Sequence, residues 1–169
     1  SAGAGLWDWD IRRHDLYWSP ELFALFGLDP AVWPADRSTW KALVHPDDRP
    51  IVNAAIEAAR ARRQPLACEF RICPPANGIR WIQLFGDTQF DEAGVATRMA
   101  GICLDITTRK EMEAALRASE DRFRSVLDNS SEAAYRRDLQ ADCYDYMSPT
   151  IAAITGWSIE EMNHMTTGA

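Results

Sequence analysis

No stretch of this 169-residue chain has the 18 or more consecutive apolar residues of a membrane span, so contact of the segment with a bilayer is not expected. Positive charge is in deficit, with 18 Lys+Arg against 25 Asp+Glu and a net charge of −7. A surface that neutralises phosphates is therefore excluded, and with it nucleic acid as a partner; the cluster from Arg60 to Arg63 is too short to reverse that. Cysteine is sparse. Cys68, Cys73, Cys103 and Cys143 form no CxxC pair, which reads as free thiols in a reducing, cytoplasmic setting. The first residues, Ser1-Ala2-Gly3-Ala4-Gly5, lack the charged and apolar regions of a signal peptide and read as a linker end or artificial junction. Phosphate-binding glycine loops, a Gly-x-Ser-x-Gly elbow, a helical His-Glu pair with metal spacing, a histidine-kinase phosphoacceptor and a Gly-Gly-Asp-Glu-Phe cyclase motif are all missing. No catalytic or metal-binding residue is expected, and any activity would lie in an output domain elsewhere.

What the chain does have in quantity is tryptophan, seven in all, with four Tyr and six Phe. Residues 6–11 and 16–18 are aromatic-rich runs around a polar turn and read as a hairpin. Ser19-Pro20-Glu21 signals a capped helix that stops at Gly27. Ser38 to Lys41 opens a second short helix, and His45-Pro46-Asp47-Asp48-Arg49 opens a longer one. In that opening, His45, Asp47 and Asp48 suit the amides of a helix N-terminus better than a metal ion. From Leu66 the apolar period falls from 3.6 to 2, giving a strand near 66–72, a second over 79–90 and a third over 95–105, with a turn at Asp91 to Gly94. The order predicts an α+β fold with an antiparallel sheet and helices on one face.

A helix follows, with Thr108-Arg109-Lys110-Glu111 as a capping box. Met112, Leu116, Ser119, Phe123 and Val126 step by 4, 3, 4 and 3. That spacing admits either a short coiled-coil seam or a helix packed on its own domain. The chain then repeats itself: Tyr146, Ser148-Pro149 and Gly156 stand 129 residues after Tyr17, Ser19-Pro20 and Gly27. The repeat contains the hairpin and first helices but not the three later strands. Three segments result: a domain over 1–106, a linker helix over 107–128, and the N-terminal, truncated part of a second copy over 129–169.

Leu6-Trp7-Asp8-Trp9-Asp10-Ile11, Tyr17-Trp18-Ser19-Pro20, His45-Pro46-Asp47-Asp48-Arg49, Glu69-Phe70-Arg71, Gly78-Ile79-Arg80-Trp81-Ile82 and Gly101 with Asp105-Ile106-Thr107 together resemble the PAS sensory domain family. The resemblance implies a five-stranded antiparallel sheet with short helices on one face, followed by a long linker helix. It also implies a sensory or relay module of a larger bacterial signalling protein, such as a sensor histidine kinase of a two-component system or a cyclic-dinucleotide enzyme. Asp105, Ile106 and Thr107 resemble the family's signal exit. The alternative is a ligand-free PAS dimerisation or scaffold module.

By the same resemblance, Trp40, Ile56, Phe70, Ile72, Ile82, Leu84 and Cys103 form an apolar pocket lining. Flavin-binding members place amides where Ile82 and Cys103 stand, and haem-binding members need an axial histidine on the long helix, so neither cofactor is expected. The pocket is either filled by its own side chains, the favoured reading, or takes a small apolar metabolite. Trp81 and Phe85 point to the opposite face by period 2. That face calls for a cover, from the N-terminal segment, the linker helix or a partner chain. With Met112, Leu116 and Phe123 it is assigned to linker or homodimer contact. The other partners expected are further domains of the same polypeptide.

Overall fold

A computed structural model describes residues 4–76, 78–128 and 134–166. The chain divides into two compact units, Ser1–Glu111 and Met112–Ala169.

In the first unit, strand β1 (Gly5–Asp10) buries Trp7 and Trp9 and turns Leu6 to solvent, as a two-residue period requires. It pairs with β2 (Asp15–Trp18). Ser19 then has two structural tasks. Its backbone N–H donates to the Leu6 carbonyl at 2.9 Å, and its hydroxyl accepts from the amides of Leu6 (3.1 Å) and Leu22 (3.3 Å). One buried serine thus closes the hairpin and caps helix α1 (Pro20–Phe26), which Gly27 ends at φ +66°.

Helix α2 (Arg37–Leu43) starts one residue earlier than Ser38, because the Asp36 carboxylate accepts from Thr39 N at 2.7 Å and takes the cap. A single 3-10 turn, Pro46–Asp48, leads into α3 (Arg49–Arg62). Here one expectation is corrected in part. His45 Nδ1 does accept from the Asp47 amide, at 3.3 Å, but the Asp48 side chain makes no cap bond to α3. Its carboxylate instead receives the Arg71 backbone N–H (2.8 Å), Nε (2.9 Å) and Nη2 (2.5 Å). Charge-assisted bonds from a fixed guanidinium fork outweigh one helix-end amide.

Strands β3 (Leu66–Ile72), β4 (Arg80–Phe90) and β5 (Ala96–Asp105) form an antiparallel meander, and β1 pairs with β5, giving the order β2-β1-β5-β4-β3. The β4–β5 turn is held by Asp91, whose carboxylate accepts from Val95 N and whose amide donates to the Val95 carbonyl, with Gly94 at φ +79°. Glycine is required at two facing positions of the sheet. A Cβ on Gly86 would lie 2.5 Å from the Trp7 ring, and one on Gly101 would lie 1.9 Å from the Phe85 carbonyl oxygen. The core collects Phe26, Leu22, Phe70, Ile72, Ile82, Met99 and Cys103 between the sheet and the helices, each at most 1% exposed.

Helix α4 (Thr107–Asp128) begins at Thr107, so Thr108 sits inside the first turn and does not act as the cap of a capping box. The Asp105 carboxylate accepts the Thr107 amide at 2.9 Å and Ile106 O accepts from Lys110 N at 3.0 Å. The division into compact units falls within α4, after Glu111.

The second unit holds the hairpin β6 (Tyr135–Asp138) and β7 (Cys143–Met147), then α5 (Pro149–Thr155) and α6 (Ile159–Thr166). Two bonds at Ser148 match those that Ser19 makes to Leu6, but the Ser148 side chain makes no cap bond to α5. Ser148 Oγ accepts from Ala134 N at 3.1 Å, Ser148 N donates to Ala134 O at 2.8 Å, and Gly156 ends α5 at φ +74°. Asn163 on α6 binds both backbone groups of Tyr144 on β7, at 2.6 and 2.8 Å. The expected start of the second copy at 129 lies outside the described residues.

Candidate functional site

The inward faces of β1 to β5 and helices α1, α2 and α3 line a half-open apolar cavity of about 60 Å³. Of the seven residues expected to line it, Trp40, Ile56, Leu84 and Cys103 do so. Phe70, Ile72 and Ile82 are fully buried in the same core but do not border the space. Their places are taken by residues that the sequence did not single out for the pocket. Trp7 and Trp9 come from β1, Leu16 and Trp18 from β2. Leu22, Arg37, Leu66 and Met99 complete the wall. The alternation Trp7-x-Trp9 was the available signal for the first two; Arg37 had none.

Aromatic contacts stiffen one side of this core. Ring centroids lie 5.3 Å apart for Trp18 and Phe26, 5.9 Å for Phe26 and Trp40, and 5.4 Å for Trp40 and Phe70. Such pairs contribute about 0.5–1.5 kcal/mol each beyond their buried area. On the other side, the guanidiniums of Arg37 and Arg60 lie 4.7 and 5.4 Å from the Trp9 ring centroid. The indole N–H groups of Trp7 and Trp9 are buried and meet no acceptor among the described residues. Burial pushes the Cys103 thiol far up and the Cys68 thiol up to about 11, so neither is a nucleophile at neutral pH.

These residues do not fit a flavin or a haem. No amide side chain and no histidine lines the cavity. Its volume is also well below the roughly 150 Å³ of an apolar cavity that holds benzene. Among the described residues, no group of three or more His, Cys, Asp or Glu is placed to hold a metal ion, and no helix is long and apolar enough to cross a membrane.

On the opposite face of the sheet, the exit from β5 is tied to β4. Beyond the Ile82–Asp105 pair, Ile106 N donates to Trp81 O at 2.9 Å, and Trp81 N donates to Thr107 Oγ1 at 3.0 Å. A side-chain hydroxyl here stands in for a strand carbonyl and adds one rung to the ladder. Glu69 on β3 receives Arg109 (2.7 Å) and Lys110 (2.6 Å), which hold its carboxyl below the usual carboxylate range through their hydrogen bonds. Lys110 Nζ and the Arg71 guanidinium lie 5.2 and 5.7 Å from the Trp81 ring centroid. Trp81 is thereby half-buried, whereas Phe85 stays 37% exposed. Met112, Leu116, Phe123 and Val126 are exposed along α4.

A family model described as the PAS fold matches residues 15–103. Among curated proteins the chain is 29% identical over 161 residues to the probable diguanylate cyclase DgcE of Escherichia coli, covering 95% of the chain and 14% of that protein. It is 34% identical over 131 residues to the sensor protein FixL of Bradyrhizobium diazoefficiens, covering 78% of the chain and 26% of that protein. The chain therefore spans about a quarter or less of these relatives. A solved sensory box histidine kinase/response regulator structure from Burkholderia thailandensis is 35% identical with a TM-score of 0.64, over 73% of the chain and 92% of that structure. The N-terminal domain of a diguanylate cyclase with a PAS/PAC sensor from Marinobacter aquaeolei shares the fold at 20% identity and a TM-score of 0.57. With the sheet order β2-β1-β5-β4-β3, the helix-covered inner face and a family match over more than half its length, the chain belongs to the PAS fold family.

Proposed function

We propose that the first unit is the sensory and relay module of a larger signal-transduction protein, of the sensor histidine kinase or cyclic-dinucleotide enzyme kind. A change in the sheet, induced by a ligand or partner, passes through it to α4. Catalysis in such a protein belongs to other domains of the polypeptide, which are its first partners.

The observation that carries this reading is the junction of Trp81 with Ile106 and Thr107. A strand that shifts along β4 must move the first turn of α4 or break these two bonds, and the Glu69 pairs hold the same turn to β3. A helix rooted in this way turns a small displacement in the core into a two-state element. Cys103 lies on the cavity wall two residues before Asp105, so a substitution there is a suitable perturbation. The test is hydrogen exchange at the Lys110 amide, the first i to i−4 bond of α4. The reading requires a response there.

The output side is a homodimer that uses the Met112, Leu116, Phe123 and Val126 seam, supported by the 59–68% exposure of these four side chains. Residues 134–166 act as a second copy of the opening PAS elements. Light scattering at tens of micromolar checks the seam: a dimer is expected for the wild type and a monomer for Leu116→Glu. A monomeric wild type rejects it.

A further inference from the structure

We infer that the first unit binds a small aliphatic monocarboxylate, with its apolar body in the core cavity and its head in an adjoining cationic cleft. The inference rests on the reading of this core as the sensory input.

The cleft lies between α2 and α3 and measures about 260 Å³. Arg37, Lys41 and Arg49 line it with Ser38 and Asn53, and no acidic residue does. In a chain of net charge −7, arginines of this unit commonly sit on carboxylates: Arg12 on Asp91, Arg71 on Asp48, Arg98 on Asp8, Arg109 on Glu69. Among the described residues Arg37, Lys41 and Arg49 have no such partner; Arg49 spends its Nε on the Val44 carbonyl and Arg37 lies over Trp9. Three like charges gathered in a concave space raise its potential and favour an anion.

The two spaces adjoin, because Arg37 and Trp40 border both. A ligand that uses both needs an apolar part and a negative part joined directly. The Arg37 guanidinium matches a carboxylate through two parallel N–H donors, and it is the one cation on the cavity wall. The cavity, well below one that takes benzene, has room for an alkyl body of about three carbons and for no ring or longer chain. Four tryptophans on the wall, Trp7, Trp9, Trp18 and Trp40, supply an internal reporter.

The experiment titrates the 169-residue protein with sodium butanoate, 1-butanol and sodium acetate at matched ionic strength, following tryptophan emission. Butanoate is expected to saturate with an apparent Kd at least tenfold below that of butanol or acetate. Arg37→Gln should bring butanoate to within threefold of butanol and leave butanol unchanged. Equal affinity for butanoate and butanol, no saturation by butanoate, or an Arg37→Gln variant that binds butanoate as the wild type does would each overturn the inference. Should Arg37→Gln fail to fold, Lys41→Gln on its exposed side chain repeats the test: about threefold weaker butanoate binding is expected, and unchanged binding overturns the inference. Failure of binding with an intact response at Lys110 to a core substitution rejects the ligand class alone, since that response needs no ligand.

Discussion

Replacing Thr107 by Val removes one hydroxyl from the exit of the sheet and nothing else of its shape. The lost group is the acceptor of the Trp81 N–H at 3.0 Å. The Val methyl that takes its place cannot accept, and the amide of the half-buried Trp81 loses its partner. Leaving a fully buried donor unpaired costs about 1–3 kcal/mol, and half-burial argues for the lower end, about 1 kcal/mol. At 1.4 kcal/mol for each tenfold, local opening at Trp81 becomes about fivefold more frequent. Amide exchange followed by NMR should therefore show Trp81 about fivefold faster, Lys110 faster as well, and Phe70 unchanged. Thr107→Ser keeps the acceptor and should behave as the wild type. An unaltered Trp81 amide in Thr107→Val, or equal damage from Ser and Val, refutes the assignment of this hydroxyl as a rung of the ladder.

Two further outcomes follow from the same geometry. Asp48→Ala strands the Arg71 fork and should lower stability by about 2–3 kcal/mol in urea unfolding. The Arg71 hydrogen bond holds the Asp48 carboxyl below its ordinary 3.8. Its stabilisation is therefore complete above about pH 4 and is lost as pH falls through the lower folded-state value, so the Asp48→Ala difference should shrink on acidification below pH 4. Alkylation at pH 8 should label the exposed Cys73 before Cys68 or Cys103, whose thiols burial keeps protonated; mass spectrometry of the native protein reads this order directly.

Local signals were legible in the sequence where one element decides them. Ser19-Pro20 and Gly27 mark α1 because cap and stop are set within the helix itself. The period of two along β4 separates buried Ile82 and Leu84 from exposed Phe85 for the same reason. Where distant partners compete, local reasoning chose the wrong neighbour. Thr108 has the spacing of a capping box, but α4 starts at Thr107, whose hydroxyl is bound to Trp81, 26 residues away. Asp48 has the position of a helix cap, yet Arg71, 23 residues on, takes its carboxylate. The cavity wall was half legible because which β1 and β2 residues border it depends on β1 lying beside β5, a pairing across some 90 residues. Arg37 on that wall follows only from where Asp36 starts α2.

The relay itself is tested most directly by a double-mutant cycle between Cys103→Ala, on the cavity wall, and Thr107→Val, at the exit, read at the Lys110 amide. The account predicts that Cys103→Ala changes Lys110 exchange when Thr107 is present and much less when it is absent, a coupling of about 0.5 kcal/mol or more. Effects that add without coupling, or a Lys110 amide indifferent to Cys103→Ala, would contradict transmission from the core to the helix.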